Sequence, residues 1–435
     1  MKLFRSILFW AHLAAGLIAG LSIGIMCFTG TVIAFEDEIV EWAERDARQV
    51  AVPAGDAPRL SLADLQQRLR ETQPEFRAAT VTLKNDPAAA ITFSAGREGG
   101  FHANPYTGEF RQPASTKTHD FMHTMVDWHR FLGRVDQQRP IGKAINGACN
   151  IAFCFLALSG LYLWMPRTWS WRGVKAIVLF NRQNSGKARD FNWHNVIGFW
   201  TAPILIVLTL TAIPISFRWG SNLIYQMAGE EPPVPAGSGA PVAAAPEFEI
   251  RRPTPDSRPL GYDAILANVQ KEFPQWKTIT LRSGAPQRRP APGAAINASA
   301  PQPGARPEVG TASAVRAEGR RGEGAGGNSP RTPQPITVTI RESDSWPRTA
   351  NTILTLNPFT GEVLKREGYA DLTAARQIRA WTRFLHTGQA LGWPGQLVAG
   401  LACLGGCFLV YTGFALSWRR FFTRKAAQQK SEASA

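Results

Sequence analysis

Hydrophobic residues are concentrated in four long stretches of the 435-residue chain, and polar segments separate these stretches. They lie at residues 13–35, 141–165, 196–217 and 394–418. An apolar helix needs about 20 residues to cross the hydrocarbon core of a bilayer. Each stretch is long enough, so we predict four transmembrane helices.

The polar and apolar pattern between these spans occurs twice. In each long connection a Leu/Ala-rich helical pattern, at 60–71 and 262–273, precedes a strand-like run. An Asn-Pro-aromatic-Thr-Gly-Glu turn between two apolar strands follows, at 104–110 and 357–363. The second and fourth spans also end alike, on Ser-Gly-Leu and Thr-Gly-Phe. The chain therefore has the pattern of a duplication.

Both halves run span, outer domain, short amphipathic segment, span, and both cross the membrane in the same direction. Parallel repeats of this kind are related by an axis along the membrane normal, so equivalent residues lie at equal depth. We predict an α-helical membrane protein with four transmembrane helices in two parallel repeats and two small α+β outer domains. The predicted segments are 1–35 (first span), 36–118 (outer domain 1), 119–165 (surface helix and second span), 166–193 (basic loop), 194–217 (third span), 218–370 (outer domain 2), 371–418 (surface helix and fourth span) and 419–435 (tail).

Charge predicts the orientation of the spans. The loop between spans two and three and the tail after span four are short and basic, which is typical of cytoplasmic segments. Both termini should then be cytoplasmic, and both long connections periplasmic. The chain begins like a signal peptide, with Lys2 and Arg5 before an apolar run. That run is too long for a signal, and no small-residue cleavage site precedes Glu36, so we expect an uncleaved anchor.

The net charge of +15 does not indicate nucleic-acid binding, because the excess lies at the cytoplasmic ends and in one arginine-bearing insert. This insert, 282–335, is rich in Pro, Gly, Ala and Arg and should be disordered. Residues 229–259 form a similar, shorter linker. All five cysteines fall within spans, so no disulfide framework is expected in the outer domains.

Four of the seven histidines lie at matching places in the two halves. His12 and His194 open the first and third spans. His129 and His386 shortly precede the second and fourth, on surface helices predicted at 120–132 and 373–386. Ionisable residues at membrane depth usually mark a functional site.

The predicted depths pair His12 with His194 at the cytoplasmic side and His129 with His386 at the outer side. Two neutral imidazoles are good axial ligands for a six-coordinate haem iron that transfers electrons. The alternative for each histidine is an ordinary interfacial side chain. Gly16, Gly133 and Gly198, each four residues after one of these histidines, would leave room for a flat macrocycle or would permit close helix packing.

His119 and His123 are spaced i, i+4 on the first surface helix, which suits a metal such as zinc. No third ligand is evident nearby, and a solvated face is the favoured interpretation. They would alternatively line an access site for a cationic or ferric substrate. His102 lies in a predicted strand and receives no role. Phosphate-binding, dinucleotide and nucleophile motifs are absent, so electrons must come from a partner protein or from membrane quinol.

At these residues the chain resembles the PepSY-associated transmembrane family of bacterial inner-membrane proteins. The resemblance covers nearly the whole chain apart from the insert 282–335, which departs from the usual pattern. It is carried by His12…Gly16, Phe28-Thr29-Gly30, Phe35-Glu-Asp-Glu38, the two Asn-Pro turns, Trp128-His129-Arg130, Asn192-Trp-His194 and Leu385-His386-Thr-Gly388.

Members of this family are similar to iron-regulated proteins found with siderophore uptake systems. The resemblance implies a reductase that carries two haem b groups, with His12, His194, His129 and His386 as ligands. Its substrate would be a ferric siderophore or another periplasmic oxidant. Its electron donor, a quinol or a cytosolic reductase, stays open, as does the oligomeric state.

Two other classes of function stay open at this point. The outer domains resemble modules that accompany peptidase propeptides, so the protein would instead bind and restrain a periplasmic peptidase or act in assembly. A transporter built on the parallel repeat is the third hypothesis. A haem absorption spectrum separates the first hypothesis from the other two.

Overall fold

The structure is a computed structural model that describes residues 2–55, 57–95, 100–113, 116–166, 170–233, 250, 252–254, 257–283 and 334–422. The helices in these ranges are α1 (Lys2–Ile33), α2 (Glu36–Ala43), α3 (Arg45–Arg48), α4 (Leu62–Thr72), α5 (Lys117–Phe131), α6 (Arg139–Trp164), α7 (Trp171–Val178), α8 (Gly186–Ser216), α9 (Arg218–Met227), α10 (Tyr262–Glu272), α11 (Ala374–His386) and α12 (Trp393–Phe421). The strands are β1 (Thr80–Lys84), β2 (Ile91–Ser94), β3 (Gly100–Ala103), β4 (Phe110–Arg111), β5 (Trp276–Ser283), β6 (Ile336–Glu342), β7 (Thr352–Leu356) and β8 (Val363–Glu367).

Four helical segments are long and apolar enough to cross a membrane: α1, α5 together with α6, α8 and α12. The prediction of four apolar helices is confirmed. Two of these helices extend beyond the predicted apolar spans, since α1 begins at Lys2 and α8 at Gly186. Hydrophobicity marks only the part of a helix that suits lipid, whereas backbone hydrogen bonding continues into the polar turns before it. His12 and His194 therefore lie inside these helices and not at their beginnings.

Small residues let the long helices approach one another. A Cβ on Gly20 of α1 would lie 2.8 Å from the Phe414 ring of α12, and a Cβ on Gly405 would lie 2.5 Å from Cγ2 of Thr201 in α8. Close backbone approach of this kind is typical of helix packing in membranes. All five cysteines are free thiols.

The two long connections contribute to one antiparallel sheet in the order β4-β3-β2-β1-β5-β6-β7-β8. At its centre β1 pairs with β5, where Thr82 lies opposite Thr280 and their hydroxyl oxygens are 3.1 Å apart. Side chains from both connections, such as Val81 and Leu281, share one hydrophobic core.

The prediction of two separate outer domains, at 36–118 and 218–370, is thereby corrected to one joint domain. Each connection alone would form a four-stranded sheet whose edge strand, β1 or β5, has unpaired backbone groups. Such edges tend to find a partner strand, and here each edge covers the other.

The two halves of this sheet form the same local hydrogen bonds. In the first predicted turn Asn104 Oδ1 accepts a hydrogen bond from the amide of Tyr106, and in the second Asn357 Oδ1 accepts one from the amide of Phe359. Each turn has a glycine with positive φ, Gly108 at 76° and Gly361 at 72°. Only glycine adopts this left-handed conformation without strain, which explains its place in both turns.

The two halves also contact each other through α4 and α10. The carboxylate of Asp263, in the first turn of α10, accepts hydrogen bonds from the amides of Leu62 and Ala63 at 2.6 Å and 3.0 Å. These amides belong to the first turn of α4 and have no partner within their own helix. One half of the chain therefore caps a helix of the other.

The predicted insert 282–335 falls almost entirely outside the described residues. Its first two residues, Arg282 and Ser283, belong to β5, which pairs with both β1 and β6. That part of the prediction is wrong, because pairing on both sides extends the strand beyond its apolar run. Residues 284–333 of the insert, and 234–249 of the shorter predicted linker, lie outside the described ranges.

Candidate functional site

The helices α5 and α11 bring two histidines close together at the end of the bundle that adjoins the sheet. The ring centroids of His129 and His386 lie 6.3 Å apart, and their planes are inclined by 50°. Helix α5 packs against α1, and α11 packs against α8. We call these two residues the outer pair; they are the pair that the sequence predicted.

The ring of His129 is held by helix α1. Its Nδ1 lies 3.1 Å from the carbonyl oxygen of Met26 and 3.0 Å from Oγ1 of Thr29. A carbonyl oxygen only accepts, so Nδ1 carries the ring proton and donates it. In the neutral ring the lone pair is then on Nε2.

Helix α8 holds the ring of His386 in the same way. Its Nδ1 lies 3.0 Å from the carbonyl oxygen of Leu208 and 3.3 Å from Oγ1 of Thr211. The proton is again on Nδ1 and the lone pair on Nε2. The outer pair therefore presents two imidazoles of the same tautomer.

The threonine hydroxyls support this assignment independently. Thr29 donates its hydroxyl proton to the carbonyl of Ile25, and Thr211 donates to that of Val207, each at 2.7 Å. A hydroxyl has one proton, so towards the imidazole it acts as an acceptor.

A second pair, His12 of α1 and His194 of α8, lies towards the other end of the bundle, and we call it the inner pair. The two residues are close enough to interact electrostatically. His12 Nδ1 lies 2.8 Å from Oγ of Ser159 in α6, and His194 Nδ1 lies 2.9 Å from Oγ1 of Thr412 in α12. Thr412 donates its proton to the carbonyl of Phe408, so it accepts from His194.

In α1 and α8 the same intervals separate the inner histidine from the two residues that contact an outer histidine ring. Met26 and Thr29 follow His12 by 14 and 17 residues, and Leu208 and Thr211 follow His194 by the same intervals. At 1.5 Å per residue these intervals correspond to about 21–26 Å along a helix. Each long helix thus carries one inner histidine and supports one outer histidine.

The glycines that the sequence analysis placed beside the rings have other neighbours. A Cβ on Gly16, Gly133 or Gly198 would meet Leu156, Trp128 or Leu409, respectively, and not a histidine. These neighbours fit the packing interpretation of the three glycines, and the macrocycle interpretation stays a prediction.

Glycines on the facing helices border the rings instead. A Cβ on Gly160 would lie 3.2 Å from Cε1 of His12, one on Gly30 would lie 3.3 Å from Cε1 of His129, and one on Gly413 would lie 3.7 Å from Cε1 of His194. Each of these glycines directly follows the Ser or Thr that bonds to the same ring. The sequence analysis recorded these Ser-Gly and Thr-Gly dipeptides only as marks of duplication and missed their contact with the histidines.

The outer pair fits an iron bound between the two rings. On each side a metal–nitrogen bond measures about 2.0 Å, and the nitrogen lies about 1.1 Å from the ring centroid. Two such rings around one metal would therefore have centroids about 6.2 Å apart. Each of the four rings is half-buried, so part of its surface borders a space beside it. Within the described ranges no group of three or more His, Cys, Asp and Glu side chains is arranged to hold a metal ion. Two imidazoles would suit a metal whose other ligands come from a macrocycle such as haem, and His129 and His386 would then hold it.

Comparison with known families gives the same assignment as the sequence motifs. The family described as the PepSY-associated TM region matches residues 9–420. The chain belongs to this family. The match includes all four helices that can cross a membrane and both histidine pairs. A search of the curated proteins found no match. As a family member with four candidate spans, it is a multi-pass membrane protein.

His119 and His123 of this PepSY-associated protein lie on α5, nearer to the sheet than the outer pair. His119 Nε2 lies 2.5 Å from Oε1 of Glu44, whose side chain is 2% exposed and also accepts a hydrogen bond from Arg48 at 2.6 Å. His123 is exposed. The favoured interpretation of a solvated face fits the exposed His123 and the 44% exposed side chain of His119, although His119 also reaches the buried carboxylate of Glu44.

His102 is buried in β3, as its place in a predicted strand suggested, with 4% of its surface exposed. Its Nδ1 lies 3.0 Å from Oγ1 of Thr92 on the neighbouring strand. Burial first, and then the nearby charge of Arg48, lower the pKa of the ring to about 4. A Thr–His contact therefore also occurs at a histidine that serves packing.

Proposed function

We propose that this protein is a di-haem b-type electron-transfer protein of the bacterial inner membrane that reduces a ferric siderophore, or another periplasmic oxidant. In this proposal His12 and His194 hold one haem, and His129 and His386 hold the other. The supporting observation is the outer pair, whose separation of 6.3 Å suits two axial ligands of one iron.

The histidines would act as ligands and not as acids or bases. Haem supplies a one-electron ferric/ferrous couple when it is bound. A hydrogen bond from Nδ1 to a carbonyl fixes the tautomer, orients the ring and makes Nε2 a better ligand. Met26 and Leu208 provide this bond at the outer pair. The side chains of Ser159 and Thr412 provide the corresponding support at the inner pair.

Two redox groups at different depths suit electron transfer across the membrane. The interval of about 21–26 Å along α1 and α8 covers most of a hydrocarbon core that is about 30 Å thick. Electrons would enter near the inner pair from a quinol or a cytosolic reductase and leave near the outer pair. One electron converts the ferric iron of the substrate into ferrous iron, which hard oxygen ligands hold less tightly.

The duplicated architecture belongs to the same proposal. We regard the halves as parallel repeats related by an axis along the membrane normal, with the joint sheet as a fused pair of PepSY-like modules. The equal intervals in α1 and α8 and the alike Asn-Pro turns support this view. The short basic segments between α6 and α8 and after α12 support cytoplasmic termini and a periplasmic sheet.

The test is haem quantification on the purified full-length chain, expressed with ample haem. We expect two haem equivalents and a Soret band that shifts on reduction with dithionite. His129→Ala should retain one equivalent, because it removes one ligand of the outer pair. His123→Ala, an exposed histidine on the same helix, is the matched control and should retain two.

A colourless protein would contradict the proposal and favour a module that restrains a periplasmic peptidase, an assembly factor or a transporter. Two equivalents in His129→Ala would contradict the outer site alone. His12→Ala tests the inner pair by the same measurement.

A further inference from the structure

Three basic side chains gather beside the outer histidine pair. Arg130 directly follows His129 in α5, and Arg383 lies one turn before His386 in α11. Since the rings of His129 and His386 lie 6.3 Å apart, these neighbouring positions bring Arg130 and Arg383 into the same region, where their charges repel each other. Lys143, in the second turn of α6, adds a third positive charge that acts on Arg130.

Within the described ranges none of these three side chains has a carboxylate at ion-pair distance. The acidic residue nearest to Arg130 in sequence is Asp127, and both of its oxygens lie 3.1 Å from the guanidinium of Arg139. The Arg130 guanidinium lies 5.2 Å from the ring of Phe131 instead. The charge of Asp127 still acts on Arg130 but is shared with Arg139, so in these ranges this half-buried guanidinium has no ion pair of its own and favours an anionic ligand.

Two arginines near the inner pair share one buried carboxylate. Asp190 lies 3.0 Å from Arg189 and 3.1 Å from Arg419. Among the described residues Arg130 and Arg383 have no such ion pair beside the outer pair.

We infer that Arg130 and Arg383, assisted by Lys143, bind carboxylate groups at the outer histidine pair. A guanidinium presents two parallel donors that match a carboxylate, and the two arginines approach from opposite ligand-bearing helices. The carboxylates come from the propionates of the outer haem, in which case the inference rests on the proposed function, or from a ferric chelate. The position of Arg130 between helices and next to His129 favours a ligand of the pair over a lipid phosphate at the surface.

The test compares Arg383→Gln, Arg130→Gln and the double variant with Arg376→Gln. Arg376 is exposed on the same helix α11, seven residues before Arg383, and serves as the matched control. Haem content and midpoint potentials are measured by optical redox titration of the full chain. Citrate binding is measured by calorimetry. Reduction rates are compared for ferric citrate and for ferric desferrioxamine, which has no free carboxylate.

Propionate binding predicts a lower midpoint potential of one haem in Arg383→Gln, because the lost positive charge favours the oxidised state. A tenfold change in the equilibrium constant between the oxidised and the reduced haem corresponds to about 59 mV for one electron. Chelate binding predicts unchanged potentials, an approximately tenfold weaker affinity for citrate and a raised KM for ferric citrate but not for ferric desferrioxamine.

Potentials and citrate affinity that equal those of Arg376→Gln would overturn the inference even when both haems are present. Failure of the proposed function looks different, since the wild-type chain would then contain no haem. In that case citrate calorimetry alone decides: tenfold weaker binding in Arg383→Gln supports the carboxylate site, and unchanged or absent binding overturns it. Arg383 is exposed, so this single variant should fold even where Arg130→Gln does not.

Discussion

The outer and inner histidine pairs share their residue type and differ in how the protein holds them. The inner histidines lie within the long helices α1 and α8, and their Nδ1 atoms lie beside the hydroxyls of Ser159 and Thr412, with the backbone of Leu409 also bonding to His194. The outer histidines lie at the ends of short helices, and each Nδ1 lies beside both a backbone carbonyl and a threonine hydroxyl of α1 or α8. The inner pair is thus positioned by its own helices, and the outer pair by docking of α5 and α11.

The surroundings differ in charge as well. Asp190 neutralises two arginines near the inner pair, whereas Arg130 and Arg383 near the outer pair have no such carboxylate among the described residues. The two pairs thus combine the same residue type with different charge environments. Under the proposed function, the buried ion pairs would suit an internal electron carrier, and the available cations would suit contact with an anionic ligand.

The largest expected difference concerns the hydrogen bonds to Nδ1. Ser159→Ala removes the one side-chain partner of His12 Nδ1 found in the described part of the chain, and should weaken inner haem binding about 10–100-fold. Thr29→Val leaves the carbonyl of Met26 on His129 and should have an effect of about threefold or less. Haem titration of the apoprotein measures both. Equal losses of haem affinity in the two variants would show that these two histidines do not depend differently on their hydroxyl partners.

The ion pairs at the two ends give the next largest contrast. Asp190 is 1% exposed and holds two arginines, so Asp190→Asn should lower the free energy of unfolding by about 2 kcal/mol. Asp127 is 31% exposed and pairs with Arg139, so Asp127→Asn should lower it by less than about 1 kcal/mol. Thermal unfolding in detergent micelles compares them. If Asp127→Asn were the less stable variant, the ion pair of Asp127 would contribute more to stability than those of Asp190, contrary to this prediction.

A histidine outside the bundle affects only the pH dependence of stability and neither histidine pair. The folded pKa of His102 is about 4, below its unfolded value of about 6.5, so the unfolded state binds more protons between these values. Stability should therefore fall as pH decreases from about 6.5 to about 4, by at most about 1.4 kcal/mol per pH unit. His102→Asn should reduce this slope in thermal unfolding measured at pH 7, 6 and 5. A slope identical to wild type would mean that another group titrates.

Much of the membrane part could be predicted from the residues. Four apolar stretches are a strong signal because lipid tolerates few polar side chains. The pairing of His129 with His386 followed from their matching places in the two halves. The positions of the partner hydroxyls did not follow, because a Thr in an apolar helix ordinarily bonds to the carbonyl four residues before it, as Thr29 does. Only the equal intervals of 14 and 17 residues in α1 and α8 would have revealed them.

The joint sheet shows a different limit of sequence analysis. The strand patterns and both turns were predicted, and both turns form as expected. The pairing of β1 with β5 joins residues about 200 positions apart, such as Val81 and Leu281. Alternation of polar and apolar residues indicates which face of a strand is buried, but not which strand lies beside it.

The sequence by itself determined the four apolar helices, the family and the four histidines, because these depend on local composition and spacing. Only the tertiary structure decided that the outer rings stand 6.3 Å apart, that Nδ1 of each outer ring is hydrogen-bonded, and that Arg130 and Arg383 come close together with no ion pair among the described residues. These are relations between helices that are distant in the chain. Packing sets them, and no local pattern records them.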